Sequence, residues 1–133
     1  MEHIKVKYNP TVWDDLIRDS RYIASHYKHE KQLESCQAYI RTVCDNDYQT
    51  LISYITPVAF YDIRDNSVLD YSRIVFREHK YPPNADTPPQ PLANSHTTSQ
   101  HIWKFARKLG ADYMITLYPG PNGEIYNTVR EVK

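Results

Sequence analysis

The stretch SHTTSQHIWKFARKLG, residues 95–110, contains two histidines, and one of them, His101, lies with a tryptophan and three cations in a segment with helical periodicity. These side chains are predicted to face away from the apolar stripe, and the outward set is His101, Trp103, Lys104, Arg107 and Lys108. Such a basic face bordered by tryptophan could bind nucleic-acid phosphates or an acidic patch on a protein. The alternative is an ordinary solvated face, because cations near the end of a helix interact favourably with the helix dipole.

The same stretch carries the signals that begin and end a helix. Thr97 and Gln100 have the spacing of a capping box, in which both side chains satisfy backbone N–H groups. Gly110 suits the left-handed position that follows a helix. We therefore predict a helix over residues 97–109 that covers a sheet with the apolar residues Ile102, Phe105, Ala106 and Leu109.

Other combinations of residues give little support for a catalytic or metal site. His26 and His29 lie three residues apart with Glu30 as the obvious third ligand, which is a poor basis for a zinc site. Ser99 and His101 are two residues apart on a helix and so do not face each other. Three glycines leave no glycine-rich phosphate loop. We expect no catalytic residue, metal or cofactor.

The length and the charge balance bound the remaining function classes. The chain has 133 residues, which suits a single domain over residues 1–133. Its 16 basic and 16 acidic residues cancel, so the chain lacks the strongly basic character of many nucleic-acid-binding proteins. The charge is uneven, however, since acids dominate residues 36–71 and bases dominate residues 72–108. This distribution permits one basic face on a neutral protein.

Aromatic and cysteine residues indicate a folded protein in a reducing compartment. The chain has twelve tyrosines, three phenylalanines and two tryptophans, and this aromatic content argues against disorder. Tyrosine suits a sheet with one face exposed to water, or a contact surface. Cys36 and Cys44 are expected to be free thiols. No apolar run resembles a signal peptide or a membrane span, so we expect a cytoplasmic location and no membrane partner.

The first part of the chain predicts a short strand and a long amphipathic helix. Residues 3–8 alternate apolar and polar side chains, as a strand does. Asn9 and Pro10 then suit the cap and the first position of a helix over residues 10–28. A polar link follows, and residues 33–44 fit either a helix or a strand. We prefer the strand because the turn-forming sequence DND comes next.

The middle of the chain predicts an antiparallel β-meander over residues 37–76. Residues 48–63 are interpreted as one apolar strand that is covered on at least one face. Pro57 interrupts this strand, and because proline donates no backbone hydrogen bond, we expect a bulge or a sheet edge there. A turn at residues 64–67 leads into a third strand, residues 68–76.

The last part of the chain predicts a loop, the helix described above and a hairpin. Proline-rich residues 81–96 have no regular period, which is typical of a surface loop. Two strand-like segments flank the turn sequence PGPNG and predict a C-terminal hairpin over residues 113–132. The predicted fold class is α+β, an antiparallel β-meander plus C-terminal hairpin packed by two amphipathic helices.

Two sequence blocks resemble a pattern in a group of small bacteriophage-encoded proteins of unknown function. Those proteins carry a strand like S-Y-x-T-x-V-A, a hairpin and then T-T-S-x-H-I at a helix start. The blocks here are Ser53, Tyr54, Thr56, Val58 and Ala59, then Thr97, Thr98, Ser99, His101 and Ile102. The similarity spans residues 37–109, and the proline-rich segment and the N-terminal helix depart from it. It implies a phage or prophage context and action in the host cytoplasm, with no established catalytic residues.

Together these observations favour a non-enzymatic, phage-type accessory protein that binds a host protein or ribonucleoprotein complex. One form of this function is inhibition of a host defence system such as a CRISPR nuclease. The first alternative is nucleic-acid binding through the basic face of the helix at residues 97–109, aided by Arg73 and Arg77. The second is a small metal-dependent hydrolase or nuclease that uses His26 or His29.

Overall fold

Eight strands and three helices make up the part of the chain that the computed structural model describes, namely residues 4–7, 10–26, 30–34, 37–43, 48–78, 96–119 and 125–132. In chain order they are β1 (Ile4–Lys7), α1 (Pro10–His26), β2 (Glu30–Gln32), β3 (Ala38–Val43), β4 (Tyr48–Ser53), β5 (Thr56–Asp62), β6 (Ser67–Asp70), α2 (Ser72–Glu78), α3 (His96–Leu109), β7 (Tyr113–Pro119) and β8 (Ile125–Glu131). Both predicted amphipathic helices are present as α1 and α3. Residues 81–95 of the predicted proline-rich loop lie outside the described residues.

All of the described strands form one sheet, in the order β1-β8-β7-β6-β5-β4-β3-β2. Neighbouring strands are antiparallel except β6 and β7, which run parallel. A parallel pair requires a long crossover connection, and here the chain passes through α2 and α3 between the two strands. The meander of β3 to β6 and the hairpin of β7 and β8 confirm the predicted α+β class.

Apolar side chains cover both faces of the sheet. Successive residues of a strand point to opposite faces, and in β5 the neighbours Ala59 and Phe60 belong to different apolar clusters. The first cluster contains the fully buried Phe105 of α3. The second contains Ile17 of α1 and Ile74 of α2. Helix α3 therefore packs on one face of the sheet, and α1 and α2 pack on the other.

Two features left open by the sequence are settled by strand pairing. Residues 33–44 contain strand β3, so the strand interpretation is confirmed, and the polar link before it contributes the unpredicted edge strand β2. The irregularity expected at Pro57 is also confirmed. The register of β4 and β5 shifts there, and Val58 is the extra residue of a bulge.

The prediction of one strand over residues 48–63 is wrong, because the structure divides this segment into β4 and β5. A two-residue turn, Tyr54–Ile55, joins the two strands and places Ser53 opposite Thr56. Tight hairpin turns are usually marked in a sequence by Asn-Gly or Asp-Gly. This turn contains neither pair, so the sequence gives no sign of it.

The predicted third strand over residues 68–76 is wrong beyond Asp70, where β6 ends and the chain continues into α2. The Asp70 carboxylate accepts hydrogen bonds from the backbone N–H and the hydroxyl of Ser72, at 3.0 and 2.6 Å. These bonds satisfy a donor at the helix start. Asp70 is buried, and burial raises the pKa of its carboxyl group while the Ser72 hydrogen bonds oppose this rise. The helix buries Ile74 and Val75 against the sheet.

A buried hydroxyl cluster, formed by Ser20, Thr50 and Tyr71, joins α1 to the meander. Ser20 Oγ lies 2.6 Å from the phenolic oxygen of Tyr71 and 3.2 Å from Thr50 Oγ1. The Thr50 hydroxyl also donates to the backbone carbonyl of Ser20 at 3.1 Å. All three residues are fully buried, and burial raises the pKa of the Tyr71 phenol. Because buried polar groups without partners are costly, this cluster favours one position of α1 on the sheet.

Substitution of Tyr71 by phenylalanine tests this cluster, since it removes one hydroxyl and keeps the ring. We expect Tyr71→Phe to lower the free energy of unfolding by about 1–2 kcal/mol, because Ser20 loses its shortest buried hydrogen bond. Urea unfolding followed by circular dichroism measures the change. The control is Tyr113→Phe, at a residue that is 43% exposed, with an expected change below about 0.5 kcal/mol. Equal effects of the two substitutions would contradict the role of the cluster.

Candidate functional site

The turn between β4 and β5, which we call the hairpin tip, exposes two large apolar side chains at Tyr54 and Ile55. Tyr54 is 51% exposed and Ile55 is 92% exposed. The backbone of Tyr54 has φ 59°, in the left-handed region that bulky residues rarely adopt. Such a conformation costs about 1–2 kcal/mol for a residue with a side chain. The tip is therefore both apolar and strained.

Contacts from two directions hold the hairpin tip in place. The backbone N–H of Tyr54 donates to the carbonyl of Gln37, just before β3, at 2.8 Å. On the other side, the Tyr54 ring lies against the ring of His101 on α3, with centroids 5.8 Å apart and the planes tilted by 49°. The turn is thus fixed by the sheet and by the helix that covers it.

A small polar cluster of Ser53, Thr98 and His101 lies directly beneath the tip. Ser53 Oγ is 3.0 Å from His101 Nδ1 and 3.3 Å from Thr98 Oγ1. All three side chains are buried. Burial, with a smaller effect from the charge of Lys104, lowers the pKa of His101 below its ordinary value of 6.5. The imidazole is therefore neutral near pH 7 and can form a stable hydrogen bond to Ser53.

The Ser53–His101 pair has the residue types of a nucleophile and its base, but its surroundings do not favour catalysis. Serine hydrolysis needs an accessible hydroxyl, a group that orients the histidine and donors for the developing oxyanion. Here the serine is buried, and no carboxylate contacts His101 in the described part of the chain. The cluster instead links the end of β4 to α3 and supports the hairpin tip.

Beside the tip, a groove of about 370 Å³ separates the end of α1 from the sheet. Its lining includes Ala24 and Ser25 of α1, the side chain of Arg41, and both tip residues. Arg41 donates from Nη1 to the carbonyl of Ala24 and from Nε to Glu30 at 2.8 Å. A cation at a helix C-terminus satisfies carbonyls that have no partner within the helix. Arg41 thereby ties α1 to the edge of the sheet and closes one side of the groove.

The predicted outward face of α3 does not form one continuous basic surface. His101 is buried, contrary to the prediction, because its ring bonds to Ser53. Trp103 is half-buried, and the Arg130 guanidinium lies 4.9 Å from its ring centroid. The ammonium of Lys104 is 3.7 Å from the carboxylate of Glu34. The cations that remain well exposed on this helix are Arg107 and Lys108.

The two arginines that were predicted to extend the basic face belong to α2. Arg73 is exposed, and its guanidinium lies 4.8 Å from the ring centroid of Tyr118 on β7. Arg77 falls within α2, but its side chain lies outside the described residues. The ring contact of Arg73 is with β7 and not with α3. The predicted set is therefore spread over two helices.

The alternative metal site also lacks a set of ligands in the described residues. His26 stacks on Tyr22, with ring centroids 4.0 Å apart, and its Nδ1 lies 3.0 Å from the Tyr22 carbonyl oxygen. His29 lies outside the described residues. Within the ranges given above, no group of three His, Cys, Asp or Glu residues could hold a metal ion.

None of the described helices is long and apolar enough to cross a membrane.

No family model, curated protein or solved structure matches this chain. The resemblance to phage proteins rests on the two sequence blocks and stays a prediction. The functional assignment therefore rests on that resemblance and on the geometry of the hairpin tip, where Tyr54 has a positive φ and Ile55 is almost fully exposed.

The buried position of His101 predicts a pH-dependent stability. Its pKa is lower in the folded protein than in the unfolded chain, so the unfolded chain binds more protons as the pH falls below 6.5. The folded protein consequently loses stability on acidification. We expect the decrease in unfolding free energy between about pH 7.5 and about pH 5.5 to be smaller in His101→Asn than in the unsubstituted protein. Urea unfolding at both pH values measures this decrease, and identical decreases would contradict the prediction.

Proposed function

We propose that this protein is a non-enzymatic binding module whose hairpin tip inserts into a pocket on a partner protein. The observation that supports this most is the exposure of two adjacent large apolar side chains on one fixed turn. Buried aromatic and aliphatic anchors contribute much of the energy of protein complexes. A turn that is already held in one shape also loses little conformational entropy on binding.

The backbone strain at Tyr54 supports the same proposal. A glycine would adopt this φ without steric cost. Tyrosine at this position therefore costs conformational free energy. Because the ring is half exposed, its contact with His101 offsets that cost only in part. Residues held in unfavourable backbone conformations concentrate at functional sites, where the strain presents a side chain in the required direction.

The partner that we propose is a host protein or ribonucleoprotein complex in the cytoplasm of a bacterium. More specifically, we propose that this protein is phage-type and inhibits a host defence system such as a CRISPR nuclease. The support is the resemblance in the sequence, together with where its residues lie. Ser53 and Tyr54 of the first block contact Thr98 and His101 of the second. Four of the ten residues that carry the resemblance thus form or support the tip.

Ile55→Asp separates binding from stability. Because Ile55 is 92% exposed, we expect its substitution to change the unfolding free energy by less than about 0.5 kcal/mol. Affinity for the partner should fall at least about tenfold, since the new carboxylate would have to lose its hydration in the pocket. The measurements are co-elution with purified CRISPR effector complexes and inhibition of their target cleavage.

The matched control is Ile63→Asp, which places the same charge at the exposed isoleucine of the next turn. This variant should bind and inhibit like the unsubstituted protein. If the unsubstituted protein inhibits none of the effector complexes, the host-defence form of the proposal is wrong. If binding occurs but Ile55→Asp leaves it intact, the hairpin tip is not the contact surface.

Nucleic-acid binding is a second proposal, supported by the adjacent exposed cations Arg107 and Lys108 at the end of α3. The predicted consequence is a gel shift of labelled DNA or RNA that weakens steeply as salt is added. Replacement of both cations by glutamate should abolish that shift. A protein that shifts no nucleic acid even at low salt would rule this proposal out.

A further inference from the structure

A second cavity, of about 250 Å³, opens between the middle of α1 and the ends of β4 and β5 that lie away from the hairpin tip. Two of its lining side chains are charged, those of Asp19 and Arg64. The others are apolar or aromatic, namely Leu16, Tyr22, Ile23, Tyr48 and Phe60. None of these residues lines the groove beside the tip, so the cavity is a separate site.

The two charges of the cavity differ in how they are balanced. Arg64 donates from Nε and Nη2 to the two carboxylate oxygens of the buried Asp62, at 3.0 and 2.7 Å. This bidentate ion pair balances the positive charge of Arg64. Asp19 is exposed, and no hydrogen bond or ion pair joins it to another residue in the part of the chain that the structure describes. The cavity therefore offers one carboxylate that is not paired with any cation of the described residues.

Each aromatic wall of the cavity lies against another ring. The rings of Tyr48 and Phe60 are nearly parallel, with 5° between their planes and 6.1 Å between their centroids. Tyr22 stacks on His26, with 13° between their planes. The face of an aromatic ring attracts cations, and the attraction grows when water is excluded. Aromatic faces combined with a carboxylate are suited to an organic cation and unsuited to an anion.

From this geometry we propose that the cavity binds the guanidinium group of an arginine side chain of a partner protein. Its volume lies below the range of about 300–1,000 Å³ that is usual for small-molecule pockets, and suits a single side chain. A flat guanidinium stacks on an aromatic ring while its N–H groups pair with a carboxylate. The compact, strongly hydrated ammonium of lysine fits this arrangement less well. The inference is independent of the hairpin tip, because it uses other residues and a different test.

The test is a titration of isotope-labelled protein with Nα-acetylarginine amide, followed by the NMR signals of the backbone amides. This compound carries the side-chain charge without terminal charges. We expect saturable shifts in the residues that line the cavity, with a dissociation constant in the millimolar range. Nα-acetylcitrulline amide has nearly the same shape without the charge and should bind at least about tenfold more weakly.

Three variants locate the binding. Asp19→Asn should weaken arginine binding at least about tenfold, because it removes the carboxylate at an exposed position that does not support the fold. Tyr48→Leu keeps an apolar wall, removes an aromatic face and should also weaken binding. Glu131→Gln removes one charge at an exposed position of β8 outside the cavity and should leave binding unchanged.

Several results would overturn the assignment. One is an arginine titration without saturable shifts in the cavity residues. Another is equal binding of the citrulline compound, or arginine binding that is unaffected by Asp19→Asn. Tighter binding of Nα-acetylphenylalanine amide than of the arginine compound would identify an apolar occupant and would equally reject the proposal.

Discussion

Hydrogen bonds among Ser20, Thr50 and Tyr71 favour one position of α1 on the sheet. Apolar contacts alone would tolerate a shift of the helix, whereas buried hydroxyl groups are satisfied in few positions, and an unsatisfied one is costly. Ser20 lies on α1 between Asp19, which lines the aromatic cavity, and Ala24, which lines the groove beside the tip. Both sites therefore take their shape from the placement of this one helix.

The hairpin tip depends in turn on contacts made by α3. Backbone strain of about 1–3 kcal/mol persists only where surrounding structure fixes the conformation. Here the support is the Gln37 carbonyl on one side and His101 on the other, and His101 is itself oriented by Ser53. The serine–histidine pair is explained by this supporting role. Burial of this pair is unfavourable for catalysis. It strengthens the Ser53–His101 hydrogen bond, because water is excluded from it.

Local periodicity predicted two of the three described helices, α1 and α3, and most strands, because each depends on residues close in sequence. The apolar stripe of α3 and Gly110, which has φ 68°, marked that helix and its end. The end of β6 was missed because Ile74 and Val75 have strong strand preferences, and only the cap by Asp70 and burial on the sheet favour a helix there. The Asp70–Ser72 contact is local, but the burial of Ile74 and Val75 on the sheet is a tertiary contact that no local pattern reveals.

The candidate sites were harder to predict for the same reason. Helical periodicity alone placed His101 on the outer face of α3. Its hydrogen-bond partner Ser53 is 48 residues away in sequence, so no local pattern could show that the histidine turns inward. The Tyr54–Ile55 turn was hidden within an apolar run that lacks the residues usual in tight turns. The lining of the aromatic cavity comes from α1, β4, β5 and the turn after β5, and no single segment contains enough of it to form a motif.

Internal contacts also explain why recognition is expected at the hairpin tip more than on the outer face of α3. Along that helix, His101 bonds to β4, Trp103 lies beneath Arg130, and Lys104 pairs with Glu34. These side chains already stabilise the fold, so binding through them would have to compete with those contacts. Ile55 is almost fully exposed, so a partner can bury it without breaking any contact of comparable value. The free energy available for binding is therefore greater at the tip than on most of the helix face that the sequence first indicated.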